Sequence, residues 1–283
     1  MKIAVVDSGF DLTNYDLNLK YPMVGVHYFL KDNEVYEDDD ITDYLGHGTA
    51  ITNLIFDELK IYEDIELHVI KVFDRELKTH FSVINKALSY CYDKNIDVVN
   101  ISVGITSSNR ELKEWCEKLN SKNTIIFAAH DLRFFNVFPA CYSSVINVCA
   151  PQKNSPIPSG KYGIIDDKSK RYNIVAYGGK TRLKWLENKI LYLGGVSFAC
   201  PKILAIAMRD ILTHYGEDSL NIDLVLEVLR SHAFVTIEST DVFQMPDIEG
   251  RIGIFPFNKE MHSLLRFYEN EIKVVLDMRG RGL

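Results

Sequence analysis

The sequence predicts an α/β protein built on a doubly wound, mainly parallel sheet with helices on both faces. Short β-branched runs at 3–6, 67–72, 97–101, 124–128 and 145–148 read as strands buried on both sides. Longer amphipathic stretches at 48–59, 81–93 and 108–120 lie between them and read as helices. Strands and helices that alternate in this way need crossover connections, which cover both faces of the sheet and leave working groups at the carboxyl ends of the strands.

Taken in order, the first strand ends at Asp7, ahead of the turn-prone Ser8 and Gly9. An acidic run follows at 34–43 (Glu34, Glu37, Asp38, Asp39, Asp40, Asp43) and reads as a solvated loop. It lacks the carboxylates at fixed offsets around a glycine turn that a calcium loop needs. The segment 151–180 is polar and rich in Pro, Gly, Ser and Lys, and it reads as a surface excursion. A mostly apolar helix is expected over 196–215 and a second near 221–232. Met261, Leu264, Leu265 and Tyr268 recur at helical spacing within 258–273, and the charged end with Arg279, Arg281 and Leu283 reads as a loose tail.

With 283 residues, 47% of them hydrophobic, the chain can bury one large core, and a single domain is expected. The formal net charge of −7 and the absence of a lysine or arginine block exclude nucleic acid as the main partner; a cationic peptide suits this surface better. No apolar run is long enough to span a membrane, and the first strand starts at once, without a signal peptide. Cys91, Cys116, Cys141, Cys149 and Cys200 are odd in number and unpaired in spacing, as in a cytoplasmic protein with buried, reduced thiols.

Three segments carry chemistry: Val5-Val6-Asp7-Ser8-Gly9, Gly46-His47-Gly48-Thr49 and Gly195-Val196-Ser197-Phe198-Ala199-Cys200-Pro201. Each alone is an ordinary turn or helix start. Together they supply an acid, a base and a nucleophile. Ser197 follows two glycines at a helix start, where backbone N–H groups meet developing negative charge, and Pro201 is expected in the first turn, where its missing N–H costs little.

In these motifs and their order the chain resembles the subtilisin-like serine proteases. Val98 to Gly104, Phe138-Pro139-Ala140 with Val145 to Val148, and the glycines Gly250 and Gly253 are similar to further family segments, so the resemblance covers about residues 2–257. It implies a subtilisin-like peptidase domain over 1–257, with the helix and tail at 258–283 as part of the same domain. It also implies roles: Ser197 as nucleophile, His47 as base and then acid, and Asp7 as acceptor for the far nitrogen of His47. Ser102, Val103 and Gly104 on one side and Ala128, Ala129 and His130 on the other would flank an extended peptide, with Val137 on the floor of the primary pocket. A branched residue there makes the pocket shallow.

One position departs from the pattern. Relatives resemble Ala-Ala-Gly-Asn where this chain has Ala128-Ala129-His130-Asp131, so the asparagine that donates to the oxyanion is replaced by Asp131. An ionised aspartate repels that charge. Three routes stay open: a protonated Asp131, donation by His130 or a water, or reliance on the helix start at Ser197. The implied function is a cytoplasmic serine endopeptidase that forms an acyl-enzyme and processes a peptide or protein, such as a precursor peptide with a leader. The alternative is an impaired pseudoenzyme that binds an extended peptide. No cofactor is required by this reading; calcium is common in the family and stays unassigned here. The acidic run before His47 is a candidate rim for basic substrate residues.

Overall fold

The computed structural model describes residues 1–14, 21–134, 136–151, 157–166 and 172–238. The readings at Gly250 to Gly253, the domain boundary at 257, the helix over 258–273 and the tail lie outside the described residues.

In chain order the strands are β1 (Lys2–Asp7), β2 (Met23–Lys31), β3 (Glu34–Asp38), β4 (Glu66–Lys71), β5 (Val98–Ile101), β6 (Ile125–His130), β7 (Ile146–Cys149), β8 (Tyr162–Asp166), β9 (Tyr172–Ala176), β10 (Thr181–Lys184), β11 (Ile190–Leu193) and β12 (Val235–Glu238). The helices are α1 (His47–Leu59), α2 (Phe81–Asp93), α3 (Arg110–Ser121), α4 (Val196–His214) and α5 (Ile222–His232). Ten strands form one sheet in the order β12-β8-β9-β7-β6-β5-β1-β4-β2-β3, while β10 and β11 make a separate antiparallel hairpin. Every pairing in the large sheet is parallel except β2 with β3 and β8 with β9.

The alternation along β1 explains why both faces are covered. Ile3 and Val5 pack into the cluster that includes α1, α4 and α5 residues such as Ile51, Leu204 and Val225. Ala4 and Val6 point the other way, into the cluster holding Ile84 of α2 and Leu112 and Cys116 of α3. Each strand of this kind is apolar throughout because it meets a helix on either side. All five cysteines are buried and none forms a disulfide among the described residues. Burial pushes the Cys116 and Cys149 thiols up to about 12, which leaves them inert at neutral pH.

Two sequence readings need correction. The acidic run is not simply a loop: Glu34, Glu37 and Asp38 lie on edge strand β3, and charge along an exposed edge keeps other strands from adding to it. The 151–180 segment holds β8 and β9, which pair with each other and extend the sheet from β7 to β12; both are five-residue strands set in a polar stretch, so no long apolar run marks them.

Candidate active site

Asp7 is the last residue of β1 and is buried. Its Oδ1 accepts from the Ser8 backbone N–H at 2.8 Å and from His47 Nδ1 at 2.7 Å. Its Oδ2 is buried with no hydrogen-bond partner among the described residues, so the carboxylate's charge is only partly answered locally. An imidazolium beside it would complete that balance.

His47 opens α1, and its ring tilts against the Phe198 ring at 5.3 Å between centroids. Nδ1 being engaged by Asp7, Nε2 is the nitrogen left for proton transfer. Burial by itself would lower the pKa of His47. The Asp7 charge and hydrogen bond outweigh it, with a further contribution from Asp43, and the net shift is upward from 6.5.

Asp43 is the residue that sequence reasoning missed. Although it belongs to the acidic run, it is buried. Its Oδ1 accepts from Ser8 Oγ at 2.9 Å, Leu45 N at 2.9 Å and Gly46 N at 2.8 Å, and its Oδ2 accepts from Thr49 N at 2.8 Å and Thr49 Oγ1 at 2.7 Å. Ser8 Oγ in turn accepts from Gly48 N at 2.8 Å. One carboxylate thus ties the end of β1 to the start of α1 and holds His47 against Asp7. Its signal in the sequence is faint: an aspartate four positions before a histidine has no motif of its own. Asp40 is also spoken for, since it meets the buried Lys71 ammonium at 3.3 Å. Among the described residues, no member of the acidic run lines the cleft itself.

Gly46 has φ 79, and a methyl group there would sit inside the Trp185 ring. Trp185 lies between β10 and β11, so this hairpin closes over the loop before His47. Glu187 N at the same turn donates to Asp11 Oδ2 at 2.9 Å. The chain then runs along β11 through Gly194 and Gly195 into α4, where Ser197 is the second residue.

Pro201 sits in the second turn of α4, not the first. It therefore removes the helix hydrogen bond that residue 201 would donate to the Ser197 carbonyl. Ser102 Oγ donates to that carbonyl instead, at 3.4 Å, and Ser102 itself accepts from Asn100 Nδ2 at 3.0 Å. The end of β5 thereby steadies the nucleophile's helix.

His47 and Ser197 line one continuous cleft. Its larger half, about 650 Å³, includes Ser102, Val103, Gly104, Ala129, Asp131 and Val137. A second half of about 430 Å³ continues past Ser197 along Gly194, Gly195 and Pro151. Ala128 is fully buried between neighbouring strands and, like His130, forms no part of either wall. The His130 ring is occupied elsewhere: Nδ1 meets Asn147 Nδ2 at 2.9 Å, and Nε2 donates to the Phe134 carbonyl at 3.3 Å. It has no donor left for an oxyanion.

Ile105 and Phe138 exchange backbone hydrogen bonds at 2.9 and 2.8 Å, which draws the two cleft walls together. At that narrowing the Val137 side chain fills the space that a Cβ on Gly104 would take. Only glycine at 104 leaves room for it.

Asp131 is not a protonated donor. Arg133 grips it from two residues on, Nε donating to Oδ1 at 3.0 Å and to Oδ2 at 2.8 Å, and Nη2 to Oδ2 at 2.5 Å. Hydrogen bonds from Arg133 hold the Asp131 carboxyl below its usual range, so it is ionised across neutral and alkaline pH. The decline in activity at high pH that a protonated donor would impose is therefore not expected.

The chain matches the subtilase family over residues 1–209. It is similar to the major intracellular serine protease of Bacillus subtilis (strain 168), 27% identical over 72% of this chain and 66% of that one. Solved structures similar to it include a lanthipeptide protease, with TM-score 0.62 and 18% identity over 83% of this chain and 80% of that one. Another is an epidermin leader peptide processing serine protease from Staphylococcus aureus, with TM-score 0.60 and 16% identity over 80% of this chain and 69% of that one. The chain spans about half the length of other curated relatives it matches, 55% of one and 49% of another.

Proposed function

Because the chain belongs to the subtilase family, we propose that it is a serine endopeptidase working through an acyl-enzyme at Ser197. The observation that carries this reading is the buried 2.7 Å bond between His47 and Asp7, in a cleft that both His47 and Ser197 line. Ser197 Oγ attacks the peptide carbonyl while His47 Nε2 takes its proton. The same nitrogen then gives the proton to the departing amine, and water repeats the sequence on the acyl-enzyme. Asp7 keeps the His47 proton on Nδ1 and stabilises the charged ring. The rival reading, a pseudoenzyme that holds an extended peptide uncut, draws support from the ionised Asp131. Labelling by a fluorophosphonate separates the two, because an inert Ser197 stays unlabelled.

A raised pKa at His47 sets the pH response. The ring acts as base only when neutral, so kcat/KM is expected to climb with pH through a midpoint above 6.5. A profile on one peptide from about pH 5 to about pH 9 checks this, and a midpoint below the ordinary histidine value contradicts it.

Substrate choice follows from the narrowing at Val137 and Gly104. We assign cleavage after small residues such as Gly, Ala or Ser. Val137→Gly is expected to open the pocket and raise kcat/KM for Phe or Leu before the cut by about 10-fold or more, one to two methylene groups of apolar burial being worth that much. Mapping cut sites in a peptide library by mass spectrometry tests both statements; a parent protein that already prefers Phe or Leu refutes the pocket argument. Likeness to peptide-processing proteases and to an intracellular serine protease supports a precursor peptide as substrate and the cytoplasm as workplace.

A further inference from the structure

Building on the endopeptidase reading, we propose that Arg133, clamped by Asp131, is the side-chain donor to the oxyanion, with Asp131 as its positioning residue. Two halves of the cleft meet at the nucleophile, and the residues common to both walls are His47, Asp131, Arg133, Val196 and Ser197. A peptide threaded from one half to the other passes its scissile carbonyl over this shared set. Two of its members are already the base and the nucleophile. Among the others, only Arg133 carries side-chain N–H groups.

The clamp leaves donors to spare. A guanidinium has five N–H bonds. Asp131 takes the one on Nε and one on Nη2, so the pair on Nη1 and the second on Nη2 are left over. Arg133 is 83% exposed, and an ion pair that open to water contributes little to stability. Holding the fold together is therefore a poor account of it. Restricting a long side chain at the cleft is a better one, because a donor aimed in advance needs no reorganisation when charge develops.

In the step itself the Ser197 Oγ bonds to the carbonyl carbon, the C=O π pair moves onto oxygen, and the Oγ proton passes to His47 Nε2. The Arg133 N–H groups donate hydrogen bonds to the new oxyanion and keep their protons. When the pair returns to re-form C=O, the C–N bond breaks and the amine takes the proton from His47. The Asp131 carboxylate, neutralised by the guanidinium it holds, no longer opposes the oxyanion.

The test compares the parent protein with Arg133→Gln, Arg133→Lys, Asp131→Asn and the double Asp131→Asn/Arg133→Gln on a neutral and an acidic peptide, with thermal unfolding as a check on folding. Arg133→Gln is expected to lower kcat by about 10²-fold on both peptides with KM little changed, the lower end of what losing one oxyanion donor costs in subtilisin itself. Arg133→Lys should fall between, since an ammonium cannot form the same fork. The double variant should recover at least half of the loss on a logarithmic scale, because the new asparagine amide replaces the lost donor. An unchanged kcat in Arg133→Gln overturns the proposal. So does a loss confined to KM on the acidic peptide, which would make Arg133 a reader of substrate carboxylates. A parent protein that neither cuts peptides nor reacts with a fluorophosphonate overturns the endopeptidase reading, and this inference with it.

Discussion

Replacing Ser197 or His47 by alanine is expected to reduce kcat by about 10⁶-fold, on the scale measured for subtilisin itself, and to leave thermal unfolding within a few degrees of the parent. Neither side chain carries much of the fold. Ser197 is partly exposed at the cleft, and the His47 backbone is held by the Asp43 bonds to Gly46 and Thr49 rather than by its ring. Fluorophosphonate labelling should mark the parent and spare Ser197→Ala. The two losses should not add in a double variant, since the serine and histidine act as one unit. Equal labelling of parent and Ser197→Ala would sink the assignment.

Asp7→Asn is expected to cost about 10⁴-fold in kcat, through geometry and through charge together. An amide at that site can present its NH₂ to His47 Nδ1, which shifts the ring proton to Nε2 and disables the base. Removing the charge also leaves burial as the main influence on His47, and burial lowers its pKa. The rising limb of the pH profile should therefore move to lower pH in the residual activity. A variant of equal activity, or one with an unmoved limb, would show that the 2.7 Å contact is structural only.

The legible parts of this molecule are those where burial on two faces leaves a continuous apolar run. β1, β4, β5, β6 and β7 sit in the middle of the sheet and announce themselves that way, as do the helices over them. The strands that went unread lie toward its edges or outside it. β3 carries three carboxylates among its five residues on an open margin, β8 and β9 pair with each other inside a polar stretch, and β10 and β11 form a hairpin with one face in water. A period of two is hard to see over four or five residues with one wet side.

The site divides along the same line. Asp7, His47 and Ser197 were legible because each stands in a short motif whose glycines and turn residues have few other uses. Asp43 and Trp185 were not, because what they do depends on which segments fold against them. The pairing of Arg133 with Asp131 was in principle readable from a spacing of two, yet nothing in sequence says that the two side chains turn toward each other.

On the endopeptidase reading, the place of the β10–β11 hairpin in the chain also orders the arrival of the reacting groups during synthesis. A growing chain that has emerged as far as β7 already contains the proposed acid and base but not yet the nucleophile. The serine arrives only after the hairpin, on the strand that leads out of it. Of the three proposed catalytic residues, the nucleophile is thus the last to be made. On that reading, a chain released short of α4 lacks Ser197 and cannot cut.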